Sequence, residues 1–243
     1  MGEAFVWGLV AGSSLVLGGV VALRVSISRR ALGLIMAFGA GVLISAVAYE
    51  LVHEALETSA GNGGVGLGLF AGSAVFFGAE VMIDRLGSRG SRPSDDPQAA
   101  EAGRSLTLGI ILDGIPESLV LGLTVLEAGT VSAALLVAVF LSNLPEAIAA
   151  TTALSRAGRS PTRITRFWIL VALGFGLTAA LGYVVLDAAS PRTLAFVLAF
   201  AGGAILTMLA NTMMPEALHH GGKLAGLLTT VGFALAFAIS SLQ

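Results

Sequence analysis

Long apolar stretches separated by short polar turns dominate this chain. Eight of them reach about 20 residues, the length at which an α-helix crosses a bilayer. They cover residues 4–23, 32–53, 64–84, 105–126, 131–154, 166–186, 193–214 and 223–242. The pattern predicts an all-α integral membrane protein of eight transmembrane helices. Residues 1–243 then form one transmembrane domain, with a loop at about 86–104 between the third and fourth helices.

The composition supports this class. Hydrophobic residues make up 56% of the chain and charged residues 12%, and the mean hydropathy is +0.91. A soluble domain carries about 25% charged residues. The chain has no cysteine, which excludes disulfides and thiolate metal sites. Its first residues lack a basic segment, so we expect no cleaved signal peptide.

The basic residues predict the orientation. All but one of the 13 Lys and Arg residues fall in the loops that follow the first, third, fifth and seventh helices. Cytoplasmic loops are rich in Lys and Arg. Both termini are therefore expected to be extracytoplasmic, with the loop at 86–104 in the cytoplasm.

The second and seventh helices resemble each other. Residues 37–45 and 199–207 share a Gly/Ala-rich pattern at an offset of 162, which also aligns Glu54 with Glu216. These helices cross the membrane in opposite directions, as expected for an inverted repeat. Chance similarity between Gly/Ala-rich helices is the alternative.

The fourth and fifth helices carry acids beside prolines, in Asp113-Gly-Ile-Pro-Glu117 and, 29 residues later, Ser142-Asn-Leu-Pro-Glu146. A carboxylate at the bilayer centre costs several kcal/mol and usually has a function. A proline frees one helix carbonyl. We therefore expect one oxygen-rich midplane site, able to bind a divalent cation or protons, formed by Asp113, Glu117, Ser142, Asn143 and Glu146. The alternative is a set of protonated carboxyls that only tie helices together.

Two further polar groups lie at helix ends. The outer end of the second helix could attract cations at an entrance, through Glu50, His53 and Glu54. The inner end of the seventh could receive them at an exit, through Glu216, His219 and His220. Solvated helix ends explain both groups equally well. Asn211 is expected to hydrogen-bond between helices rather than to bind metal.

The paired motifs resemble the fourth and fifth helices of the ZIP (Zrt-, Irt-like) metal transporters of bacterial and archaeal type. The likeness extends over the whole chain and includes Gly39-Ala-Gly-Val-Leu43 and Met214-Pro-Glu-Ala-Leu-His-His220. It implies transport of a divalent metal into the cytoplasm across the cell membrane, with zinc as the default and manganese or iron as alternatives. It also implies a binuclear site, a homodimer, no enzymatic activity and no nucleic-acid partner.

Several positions depart from the family pattern. Asp113 stands where the family usually has His, and Ser142 stands where it usually has His or Gln. Gly114 stands where the family usually has Asn. The family's sixth helix often offers a Glu, but residues 165–186 contain no acid. A midplane site without imidazole suits Mn²⁺ as well as Zn²⁺.

The resemblance divides the ligands between two positions. The first would keep Asp113, Glu117 and Glu146, with Ser142 as a weak fourth ligand. The second would keep Glu117, Asn143 and Glu146.

Two other functions are compatible with buried acids. A proton-coupled carrier of another small solute would use the same carboxylates as proton relays. A membrane-embedded metal hydrolase is disfavoured, because the chain has no His-Glu-X-X-His motif and its three histidines lie at helix ends.

Overall fold

The computed structural model describes residues 1–59, 64–87 and 97–241, without the side chains of residues 84, 86, 87, 97–108, 127 and 128. Within this part of the chain the regular structure is helical, with no strand. The helices are α1 (Gly2–Arg24), α2 (Arg29–Thr58), α3 (Gly64–Gly87), α4 (Pro97–Ala128), α5 (Ala133–Arg156), α6 (Pro161–Leu186), α7 (Pro191–Gly221) and α8 (Leu224–Ser240).

The helix lengths match a bilayer. In the described ranges, seven helices are long and apolar enough to cross a membrane. Helix α8 has 17 residues, which is about 26 Å at a rise of 1.5 Å per residue, close to a hydrocarbon core about 30 Å thick. The prediction of an all-α, multi-span membrane protein is confirmed. The extracytoplasmic placement of both termini stays a prediction.

Several helices extend beyond their predicted ends. Helix α4 begins at Pro97, so the loop predicted at about 86–104 was wrong for residues 97–104, while residues 88–96 lie outside the described part. Proline suits the first turn of a helix, and the Ala and Glu residues that follow favour helix. Helices α2 and α7 likewise continue to Thr58 and Gly221. Hydropathy marks where a helix leaves lipid, not where its hydrogen bonds end.

Helices α2 and α7 each widen into a π-helical segment, at Val47–His53 and Leu209–Met213. The two segments start 162 residues apart, which is the offset of the predicted repeat. Such segments are rare and often occur at functional sites. In α7, Pro215 lies two residues after the segment and cannot donate a helix hydrogen bond.

Glycines bring two pairs of helices into close contact in matching ways. A Cβ at Gly41 of α2 would collide with the backbone of Thr229 in α8, and one at Gly203 of α7 would collide with the backbone of Leu69 in α3. The same interfaces carry reciprocal contacts, Gly232 on Phe38 and Gly72 on Phe200. Helix α2 therefore packs on α8 as α7 packs on α3, which supports the inverted repeat.

A second group of helices surrounds the α4–α5 hairpin. Helix α1 packs against α5 and α6, and α4 packs against α5 and α6. The fully buried Trp168 of α6 donates from Nε1 to Thr151 Oγ1 of α5 at 2.7 Å. Gly19 of α1 leaves room for the indole, since a Cβ there would lie 2.5 Å from Trp168 Cδ1. These contacts fix α5, and with it the acids of the hairpin.

Candidate functional site

The midplane site consists of Asp113 and Glu117 on α4 and of Ser142, Asn143 and Glu146 on α5. Asp113 and Glu117 are one turn apart and share a face. Glu117 lies in the middle of the apolar span Gly109–Leu126, and Glu146 lies near the middle of Ala133–Arg156. All five side chains are buried. Both helices continue through their prolines.

Hydrogen bonds connect the two helices at Glu117. Asn143 Nδ2 donates to Glu117 Oε2 at 3.2 Å. Ser142 Oγ lies 3.0 Å from the Val139 carbonyl oxygen and 3.5 Å from Glu117 Oε1. The charges of Glu146 and Glu117 also lie close enough to act on Asp113. The structure thus brings the five predicted residues to one place, and their role as metal ligands stays a prediction.

Two acceptor atoms at the site have no hydrogen-bond partner. They are Asn143 Oδ1 and Glu146 Oε2, both buried. A buried polar group without a partner costs about 1–3 kcal/mol. His53 pairs with Glu57 and Glu216 pairs with His220, and neither ion pair involves the three acids of the site. Each of these oxygens is therefore free to accept a hydrogen bond or to bind a cation.

The side chains are not arranged around an ion. No three His, Asp or Glu side chains in the described segments converge closely enough to hold a metal. In this arrangement the three carboxyl groups do not form a ready-made metal cluster.

The outer group is not brought into one ligand set. Glu50 accepts from Ser132 Oγ of α5 at 2.5 Å and from Ser240 Oγ of α8 at 2.6 Å. His53 contacts Glu57 at 3.5 Å, and both side chains are more than half exposed. The exposed Glu54 contacts Thr58 on its own helix. Glu50 thus joins three helices, while His53 and Glu54 remain at the surface.

The inner group is more compact. Glu216 Oε1 lies 2.9 Å from His220 Nε2. His220 Nδ1 in turn lies 3.3 Å from His219 Nδ1. The three predicted exit residues therefore form a short polar chain at the end of α7.

The sequence analysis did not predict that Glu80 of α3 lies near the midplane site. Its carboxylate accepts from Asn211 Nδ2 at 2.7 Å and from Thr212 Oγ1 at 3.4 Å, and its charge acts on Asp113. The interhelical role predicted for Asn211 is confirmed. The repeat contained the signal for Glu80, because Thr212 lies 162 residues after Glu50 and Ser240 lies 160 after Glu80. Glu50 of α2 accepts from Ser240 of α8, and Glu80 of α3 accepts from Thr212 of α7. The two hydrogen bonds are counterparts in the repeat, in which α2 corresponds to α7 and α8 to α3. The acid lies on α2 in the first pair and on α3 in the second.

Comparisons with known proteins agree with this architecture. Residues 89–240, well over half of the chain, match the family described as "ZIP Zinc transporter". The chain is 27% identical over 240 residues to zinc transporter ZIP9-B of Xenopus laevis, covering 82% of this chain and 79% of the relative. Zinc transporter ZIP9-A of the same species is 27% identical over 182 residues, and zinc transporter ZIP9 of Xenopus tropicalis is 28% identical over 146. Those matches cover 71% and 56% of this chain, and 57% and 48% of the relatives. This multi-pass membrane protein therefore belongs to the ZIP zinc transporter family, whose members are transporters and not enzymes.

Proposed function

We propose that this protein moves a divalent metal cation into the cytoplasm through the midplane site. Zinc is the proposed substrate, because the relatives are named zinc transporters. Manganese and iron are proposed competitors, since all five side chains offer oxygen and none offers imidazole. The homodimer implied by the family resemblance stays a prediction.

One observation carries this proposal. Three carboxyl groups lie buried in apolar spans, and one oxygen of Glu146 and the amide oxygen of Asn143 lack any donor. Groups this deep in a membrane are rare unless they serve a function. The large majority of buried acceptors in native proteins are paired, so a purely structural role leaves these two unexplained. A transported cation supplies the missing partner and leaves again.

The transport cycle follows from the depth of the site. An arriving dication replaces protons on the carboxyl groups, which keeps the buried charge small. Two groups of helices are then proposed to rock against each other. One group contains α2, α3, α7 and α8, and the other contains α1, α4, α5 and α6. This motion would expose the ion first to the outer medium and then to the cytoplasm.

The test is zinc uptake into sealed vesicles that contain the purified protein, read with an internal fluorescent indicator. Glu117→Gln and Glu146→Gln remove charge with little change in shape, and we expect each to abolish uptake. Glu57→Gln is the matched control, because Glu57 is exposed and pairs with His53 on its own helix, away from the midplane acids. Undiminished uptake by both midplane variants would refute the proposed site. Cells that express the protein should accumulate zinc if transport is inward.

The outer and inner groups have separate proposed roles. Glu50, with His53 and Glu54, would raise the local cation concentration at the entrance. Glu50→Gln can accept from one of the two serine hydroxyls and donate to the other, so we expect a higher KM for zinc with little change in stability. An unchanged KM would exclude a role for its charge.

The exit group is proposed to accept the ion as it leaves, through Glu216, His219 and His220. Replacing both histidines with Gln should lower the rate of release, and therefore kcat, more than KM. Equal kcat values for the variant and the wild type would remove this group from the pathway.

A further inference from the structure

An apolar groove lies between residues 111–118 of α4 and 167–178 of α6, with a volume of about 350 Å³. Apart from Ser118 and Thr178, the residues that line it are apolar. Ser118 Oγ already donates to the Gly114 carbonyl oxygen of its own helix, at 2.5 Å. Leu170 and Ile115 border the groove and are 67% and 48% exposed. The groove is therefore open to the hydrocarbon around the protein.

The groove has the length of one bilayer leaflet. Along α6 its lining extends from Phe167 to Thr178, which is roughly 16 Å at a rise of 1.5 Å per residue. Half of a hydrocarbon core about 30 Å thick is about 15 Å. An acyl chain that extends from the headgroup level to the middle of the bilayer therefore matches the groove in length.

Two arginines lie at the end of the groove where α6 begins. Arg163 and Arg166 are exposed and fall within the first two turns of α6, just before Phe167. Arg166, Leu170 and Leu177 are separated by four and seven residues, so they share one face of the helix. Leu170 and Leu177 are exposed on that face. The arginines thus lie on the lipid-facing side of α6, at the level of lipid headgroups.

The charge of these arginines is not neutralised within the described part of the chain, where neither guanidinium group forms an ion pair. Arg156 and Arg159 are also exposed, and residues 156–166 contain four arginines and no acid. Basic clusters beside a transmembrane helix attract anionic lipid headgroups, and guanidinium groups suit phosphate because they can donate two parallel hydrogen bonds.

We propose that the groove between α4 and α6 binds one anionic phospholipid, with an acyl chain along the groove and the headgroup phosphate at Arg163 and Arg166. Charge selects the headgroup, and the apolar lining holds the chain. This site goes beyond the proposed transport function and does not depend on it. The bound lipid contacts α4 at Gly114, next to Asp113 of the midplane site.

The test measures lipid affinity of the purified protein in a non-ionic detergent, from the rise in unfolding temperature during lipid titration. Phosphatidylglycerol and phosphatidylcholine with identical acyl chains differ in headgroup charge, and the wild type should bind phosphatidylglycerol more tightly. Each arginine near an anionic headgroup contributes about fivefold to affinity. The double variant Arg163→Gln, Arg166→Gln should therefore bind phosphatidylglycerol about 25-fold more weakly and phosphatidylcholine as the wild type does.

The matched charge control is Arg29→Gln with Arg30→Gln. These two exposed arginines begin α2, which does not line the groove. This control should keep the wild-type affinity for both lipids.

Gly174→Leu tests the position of the acyl chain. A Cβ at Gly174 meets nothing within 4 Å, so leucine can enter the groove, and both lipids should then bind more weakly. Gly226→Leu is the matched control, because Gly226 of α8 is equally open and lies outside the groove.

Equal affinity of the wild type for the two lipids would overturn headgroup recognition, and so would equal losses in the two arginine pairs. Inorganic phosphate that stabilises the protein as strongly as phosphatidylglycerol would show an anion site without a lipid. Unchanged lipid affinity in Gly174→Leu would remove the acyl chain from the groove. If that variant also dissociated a dimer, the groove would be an interface between two copies. If it did not fold, the two arginine pairs would still decide the proposal.

Discussion

Asn143 should serve the midplane site in two ways that mutation can separate. Its amide nitrogen donates to Glu117 Oε2 at 3.2 Å, and its amide oxygen is buried without a partner. Asn143→Ala removes both atoms. A lost hydrogen bond to a charged group costs about 1.5–3 kcal/mol, so the metal-free variant should be less stable by that amount. Loss of an oxygen ligand should weaken zinc binding by about tenfold to a hundredfold or more. Removing a residue that only hydrogen-bonds to a metal ligand already weakens binding by about that factor.

Asn143→Asp keeps an oxygen toward the metal but exchanges the donor for a second carboxyl group. Two full charges 3.2 Å apart repel by about 5 kcal/mol at an effective dielectric constant of about 20. The metal-free variant is therefore expected to retain a proton on one of the two groups. Bound zinc removes the repulsion, so Asn143→Asp should bind zinc at least as tightly as the wild type.

The assay is thermal unfolding in detergent, with chelator and across a zinc titration, beside a direct binding measurement. Both variants should differ from the wild type in chelator, but only Asn143→Ala should lose the stabilisation by zinc. Wild-type zinc affinity in Asn143→Ala would show that the amide oxygen is not a ligand. Equally weak binding by both variants would show that Asn143 acts only by positioning Glu117.

Three further outcomes test packing and selectivity. Gly203→Ala should destabilise the fold by about 1–3 kcal/mol through its collision with α3, whereas Gly78→Ala, which meets nothing within 4 Å, should be neutral or stabilising in the same unfolding assay. Trp168→Phe should lower the free energy of unfolding by about 1–3 kcal/mol, because the buried Thr151 hydroxyl loses its donor. Adding Thr151→Val to Trp168→Phe should lower it little further. If the effects of the two substitutions were fully additive, the two side chains would not be energetically coupled. Asp113→His should shift the preference from manganese toward zinc in competition binding, because imidazole is a softer ligand than carboxylate; an unchanged ratio would contradict the hard-site argument.

The class of protein and the position of the hairpin acids were predictable because each depends on local sequence. Asp113 and Glu146 stand out as carboxyl groups within apolar stretches, and the short link between α4 and α5 limits their separation. The start of α4 was not predictable in the same way. The helix continues past the membrane on its own backbone hydrogen bonds, which a hydropathy pattern does not register.

The partners of the polar groups were not predictable from spacing. Glu50 looked like an entrance ligand, yet its oxygens accept from Ser132 and Ser240 on other helices. Glu80 was not predicted to lie near the midplane site, although it is close enough to interact with Asp113. Contacts of this kind join residues 82 to 190 positions apart, so they depend on how the helices pack.

The sequence alone determined that this is a membrane-embedded helical protein with a repeated acidic motif at the middle of two adjacent helices. It did so because hydrophobic length and the cost of buried charge are properties of each segment by itself. The tertiary structure decided which acceptors remain without a donor, at Asn143 and Glu146, and which residues bind Glu50 and Glu80. These contacts depend on how the helices pack, and glycines let several of the helices approach one another closely. The neighbouring helices therefore determine what each side chain contacts, and the sequence of a single helix does not reveal it.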